Sequence, residues 1–146
     1  MIEVRSASLR LGKARVLTDV SATFTRGRVT AILGPNGAGK TSLLRAMAGL
    51  VALEGGDTSL SRLPLQERAR TIGYLPQNGQ PAWAITVREL VELGRLPHRS
   101  RFAALSPADE AAIEAALAAT DMAGLANRPV DALSGGEKAR AKFARV

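Results

Sequence analysis

The sequence contains no cysteine, a single histidine, and only one Trp, one Tyr and three Phe among 146 residues. Without cysteine, no disulfide and no thiolate metal site can form. His98 alone cannot build a histidine-rich metal centre. With aromatics this scarce, stacking platforms for nucleic-acid bases are not on offer, and no nucleic-acid partner is expected. Long apolar runs are missing too. The longest, residues 46–53, falls far short of the ~20 residues that span a bilayer. The first five residues, Met1-Ile2-Glu3-Val4-Arg5, lack the apolar core of a secretory leader, so the sequence predicts a soluble, cytoplasmic chain.

What is present is basic and well able to fold. A hydrophobic content of 46% argues against disorder. Sixteen arginines and four lysines give a net charge of +7. They are scattered, and read mostly as solvated surface. The denser stretch at Arg95, Arg99 and Arg101 is the one candidate for facing a partner.

The most specific pattern is Gly34-Pro35-Asn36-Gly37-Ala38-Gly39-Lys40-Thr41, which fits G-x-x-x-x-G-K-[ST]. A β- or γ-phosphate needs several donors converging within hydrogen-bond reach. Glycines let the backbone curl so that successive N–H groups point inward. Lys40 adds a mobile positive charge, and Thr41 a hydroxyl for Mg²⁺. The helix opening near Lys40 turns its positive end toward the same anion. The context agrees. Residues 28–33 (RVTAIL) read as a buried strand, and residues 41–50 as a helix stopping at Gly49. An ordinary strand–turn–helix connection is the alternative, and the fixed positions make it much the weaker one.

Elsewhere, residues 2–11 and 16–25 read as two antiparallel strands, with a tight turn over 25–28. Residues 54–57 (EGGD) read as a break, 64–70 as a short helix and 71–75 as another strand. Beyond residue 79 the pattern turns helical. Thr86-Val87-Arg88-Glu89 is a capping box opening a helix to about Leu96. Ser106-Pro107-Ala108-Asp109 opens a second, ending near Thr120. Ser134-Gly135-Gly136-Glu137 opens a third. The expected organisation is a β-rich phosphate-loop core over 1–78 and a helical part over 79–146.

Leu133-Ser134-Gly135-Gly136-Glu137 is the second strong signal. Two glycines at a helix N-terminus leave backbone N–H groups unobstructed, and Ser134 can offer its hydroxyl to a phosphate oxygen. A plain helix cap explains these residues equally well when they are taken alone.

Taken together, GPNGAGKT, LSGGE and the intervening Leu75-Pro76-Gln77 make the chain resemble the nucleotide-binding domains of ABC transporters over essentially its whole length. The resemblance implies an α/β fold, a phosphate-loop NTPase core with an N-terminal antiparallel β region and a helical subdomain. It implies ATP and Mg²⁺ as cofactors. Gly34, Pro35, Asn36, Gly37, Ala38, Gly39, Lys40 and Thr41 would be the Walker A loop, with Ser42 on the α-phosphate. Thr41 and Gln77 would hold the metal, with Gln77 also at the attacking water. Ser134, Gly135 and Gly136 would be the signature, acting across a head-to-tail dimer on the γ-phosphate bound by the partner. Transmembrane permease subunits would be the other partners, placing the chain on the inner face of the cell membrane. LGRLPH (93–98) and ARTIGYLPQ (69–77) look like the branch importing iron–siderophore, haem or cobalamin.

Three departures from the pattern stand out. No apolar strand ending in an aspartate and then a glutamate follows LSGGE, so a C-terminally incomplete domain, unable to hydrolyse ATP by itself, is expected. The position that commonly stacks on adenine is Leu11, and residues 54–63 look too short for two strands and a turn. A non-transporter ABC-type ATPase of DNA repair or translation, and a nucleotide-binding module without catalysis, stay open as alternatives.

Overall fold

A computed structural model describes residues 1–77, 84–100 and 103–146. The chain divides into two compact units, Met1–Ile72 and Gly73–Val146.

The first unit is a three-stranded antiparallel sheet with one main helix. Strands β1 (Ile2–Leu11) and β2 (Ala14–Phe24) form a hairpin, paired from Ile2 with Phe24 to Leu11 with Ala14. Both runs match the expected strands to within two residues. β3 (Gly55–Thr58) pairs with the other edge of β1, giving the order β2-β1-β3. The EGGD stretch is therefore largely a strand and not a break, and it is the only strand between residues 54 and 63. Helix α1 (Lys40–Met47) lays Leu43 and Met47 against Val4, Ala7, Leu9 and Leu17 of the hairpin. Helix α2 (Leu65–Thr71) has no buried residue.

Two expected strands are not formed. Residues 28–33 have no ladder partner among the described residues, and Val29 and Leu33 are 102% and 89% exposed. The composition is that of a buried strand, but a strand needs a neighbour to bond. Residues 71–75 fare likewise: Thr71 ends α2, and 72–76 run on unpaired.

Among the described residues of the second unit all the regular elements are helical. Helix α3 (Val87–Glu92) passes directly into a 3₁₀ helix, Leu93–His98, so the expected helix changes pitch at its last third, where Gly94 and Pro97 lie. Helices α4 (Pro107–Ala119) and α5 (Gly135–Ala144) follow. Their core is Val87, Leu90, Ile113, Leu117, Met122 and their neighbours, each large side chain here contributing about 1.5–3 kcal/mol by burial. Arg88 ties α3 to α4 through Glu110 and Glu114. Thr86, Ser106 and Ser134 each close a capping box, as the Ser/Thr-x-x-acid spacing predicts.

Candidate functional site

The phosphate-binding candidate is the loop leading into α1. Residues 34–38 are exposed. Gly39 is the N-cap of α1, at φ 85° and ψ 6°, a left-handed conformation that favours glycine. A Cβ there would also lie 2.7 Å from the Val16 carbonyl oxygen and 3.0 Å from Leu17 Cδ2. Conformation and space thus exclude a side chain independently, and they seat the loop on β2.

Lys40 is the first helical residue. Its Nζ donates to the carbonyl oxygens of Gly34 and Pro35, at 2.8 and 2.7 Å. The first helical bond at this end runs from Leu43 N–H to Gly39 O, at 2.8 Å. The amides of Lys40, Thr41 and Ser42 therefore precede the helical ladder and are left as donors. The first turn of α1 contains no acid. An ammonium group, amide donors and a helix N-terminus, with no competing carboxylate in that turn, suit a polyphosphate. Thr41 is exposed and offers a neutral oxygen of the kind a hard cation accepts. A separate cavity of about 650 Å³ in this unit, lined by Phe24, Arg28, Ile32 and Leu44 among others, includes none of the loop residues 34–41.

The second candidate cluster is at the N-terminus of α5. The Ser134 amide donates to Glu137 Oε2 at 2.7 Å, and the Glu137 amide donates to Ser134 Oγ at 3.4 Å. Bonding from the Ser134 amide, then from its hydroxyl, holds the Glu137 carboxyl below the usual glutamate range. The cap is therefore real. It does not use the amides of Gly135 and Gly136, because the first helical bond at this end runs from Lys138 N–H to Ser134 O, at 2.9 Å. A Cβ on either glycine would meet nothing within 4 Å, so this end of α5 opens on free space.

Each cluster is contiguous and well formed: residues 34–42 in the first unit, 134–136 in the second. Gln77 is an exposed residue of the second unit. Leu11, at the hairpin end of β1, is 48% exposed. Two basic residues expected to face a partner are engaged within the unit. Arg95 Nε donates to Asp109 Oδ1 at 2.9 Å, and the Arg99 guanidinium donates to the Ala103 carbonyl. Arg101 lies outside the described residues. The Arg95–Asp109 pair left no trace in the sequence, since its two residues lie on separate elements and meet only through tertiary packing.

The sheet, the glycine-bent loop and the lysine-led helix define an α/β phosphate-loop domain. The ABC transporter family profile matches residues 17–146, and the chain belongs to that family. It is 44% identical to a hemin import ATP-binding protein of Pseudomonas entomophila, over 100% of this chain and 58% of that protein. It is 38% identical to a cobalamin import ATP-binding protein of Halobacterium salinarum, over 99% of this chain and 37% of that one. The chain thus spans little more than half of the first relative and less of the second. Among solved structures, an ATP-binding cassette of an ABC transporter superposes with a TM-score of 0.83 at 23% identity, over 99% of this chain and 63% of that one. That likeness concerns the fold.

Proposed function

We propose that the chain is the nucleotide-binding part of an ATP-driven ABC importer whose solute is a metal chelate of the haem, siderophore or cobalamin class. The observation that carries the reading is the loop itself: Lys40 Nζ closes on the Gly34 and Pro35 carbonyls, and Gly39, in a left-handed bend, leads into a helix start whose first amides are left as donors. The names of the relatives, hemin and cobalamin import ATP-binding proteins, support the solute class.

In this reading Gly34, Pro35, Asn36, Gly37, Ala38 and Gly39 wrap the β-phosphate with backbone donors. Lys40 leaves its two carbonyl partners to neutralise the β- and γ-phosphates. Ser42 donates to the α-phosphate. Thr41 and Gln77 would each offer an oxygen to Mg²⁺, and Gln77 would orient the attacking water. The metal would supply charge neutralisation at the phosphates. Ser134, Gly135 and Gly136 serve the nucleotide of a second copy packed head to tail, so that positioning and electrostatics carry the chemistry. The nucleotide cycle is passed to transmembrane permease subunits, with the chain peripheral on the inner face of the membrane. No described helix is long and apolar enough to cross a membrane.

Titration with a fluorescent ATP analogue tests the reading. A charge-assisted hydrogen bond contributes about 1.5–3 kcal/mol, so Lys40→Ala should lower affinity about ten- to more than a hundredfold. Equal affinities would refute it. For residues 1–146 by themselves we expect binding without appreciable turnover, since no apolar strand with Asp-Glu follows LSGGE in this sequence. A steady phosphate release that Lys40→Ala abolishes would contradict that.

A further inference from the structure

The end of α5 opposite Ser134 rests on a glycine. A Cβ at Gly94 would lie 2.0 Å from the carbonyl oxygen of Arg145 and 3.0 Å from its carbonyl carbon. Arg145 is the C-cap of α5. Both atoms are backbone, so no side-chain rotation relieves the contact. Real Cβ contacts essentially never fall under 3.0 Å, so any side chain at Gly94 demands a displacement of about 1 Å. Gly73 closes on the same stretch, where a Cβ would lie 3.0 Å from the Val146 carbonyl oxygen.

The backbone at Gly94 is not free to yield. Its neighbour Arg95 is bonded to Asp109, whose side chain is 7% exposed. Asp109 Oδ2 in turn accepts from the Ser106 amide and hydroxyl, at 3.1 and 2.6 Å, at the start of α4. The 3₁₀ segment is thereby fastened to α4. Helix α5 is fastened less firmly. It meets the core through two small side chains, buried Ala141 and partly buried Ala144, and Lys138 Nζ donates to the Asp131 carbonyl at 3.0 Å. Its capping box is internal and moves with the helix. A push at Arg145 therefore travels down a stiff ten-residue rod, about 15 Å long.

We propose that Gly94, held by the Arg95–Asp109 pair, is a positioning residue that sets where α5 presents Ser134, Gly135 and Gly136. Its functional consequence rests on the reading of those three residues as ligands of a second copy's nucleotide. Phosphate donors must sit within about 0.5 Å of their working geometry, and a 1 Å misplacement can cost about 10²-fold.

The absence of cysteine makes a direct test clean. Nitroxide labels go on Ala115→Cys of α4 and Ala139→Cys of α5, both exposed positions, and pulsed dipolar spectroscopy reads their separation. Adding Gly94→Ala should move the mean distance by about 1 Å. Adding Asp109→Asn to that variant lets the 3₁₀ segment yield, and the distance should return. An unchanged distance in folded Gly94→Ala overturns the proposal. Should Gly94→Ala not fold, Arg95→Ala must broaden the distance distribution, and an unbroadened one overturns the proposal equally. Association driven by Mg-ATP, followed by sedimentation, reads the functional side. Gly94→Ala should weaken it at least about tenfold and leave analogue affinity within about twofold, whereas equal association overturns the positioning role. A wild type that associates no more than Lys40→Ala would overturn the reading of Ser134–Gly136 instead, and the label distances would still judge the seat.

Discussion

Single atoms decide what residue 39 can be. Gly12 and Gly39 both have positive φ, 58° and 85°, so a side chain strains either one. They differ in space: a Cβ at Gly12 meets nothing, and one at Gly39 meets the Val16 carbonyl oxygen. Gly12→Ala carries only the conformational penalty, about 1 kcal/mol. Gly39→Ala carries a similar penalty plus a backbone clash that β2 cannot relieve, and should cost at least about 2–3 kcal/mol. For a unit this size the two should differ by several degrees in Tm. The same change tilts the amides of α1, so affinity for an ATP analogue should fall in Gly39→Ala and hold in Gly12→Ala. Equal melting and equal binding for the two variants would show that the loop does not depend on its seat against β2.

At the scale of elements, the helix starts are electrostatic devices and respond to pH. Asp109 is the clearest. Hydrogen bonds from the Ser106 hydroxyl, then from Arg95, and from the Ser106 amide hold its carboxyl at about 2, below the usual aspartate range. An unfolded aspartate titrates near 3.9. The depressed value means that the folded state favours the charged form. Its stabilisation is whole above about pH 4 and drains away as pH falls toward 2. Glu89 and Glu137, lowered by the caps at Thr86 and Ser134, act in the same direction. Thermal melting of the chain between pH 5 and 2 should therefore lose Tm steadily, and Asp109→Asn should flatten part of that slope. A slope identical in wild type and variant would remove Asp109 from the account. These caps were legible beforehand because Ser/Thr-x-x-acid is a local pattern, complete within four residues. The hairpin was legible because its first strand alternates, its second is rich in β-branched residues, and the two are contiguous. Residues 28–33 and 71–75 were misread for the opposite reason. Their composition favours strand, but a strand is a property of two segments, and composition says nothing of whether the second is at hand. β3 was missed because Gly55 and Gly56 imitate a break, when Gly55 in fact packs across from Ser8 of β1. Of the candidate site, the phosphate loop and the signature residues were readable as motifs. The seat under α5 was not, because it is made by a glycine and a carbonyl 51 residues apart.

At the scale of the whole polypeptide, the unpaired stretch 28–33 governs behaviour in solution. Val29 and Leu33 stand almost fully in water, on a segment whose residues favour β structure. A stretch with no ladder partner and with exposed apolar side chains is a template for another strand. The opposing force is charge. At +7 each copy repels the next, but beyond a Debye length of about 8–10 Å at ordinary ionic strength that repulsion is screened. Strand pairing acts at about 5 Å, where it prevails once two chains meet. The 146-residue polypeptide should therefore self-associate, more strongly as salt rises, with residues 28–33 at the contact. Val29→Lys replaces a fully exposed side chain, so it should leave Tm nearly unchanged while returning the chain toward monomer. Light scattering coupled to size-exclusion chromatography at low and high salt measures both effects. A wild-type chain that stays monomeric at high concentration and melts cooperatively would show that residues 28–33 find their partner within the chain, and that the sheet closes by a route other than the one described.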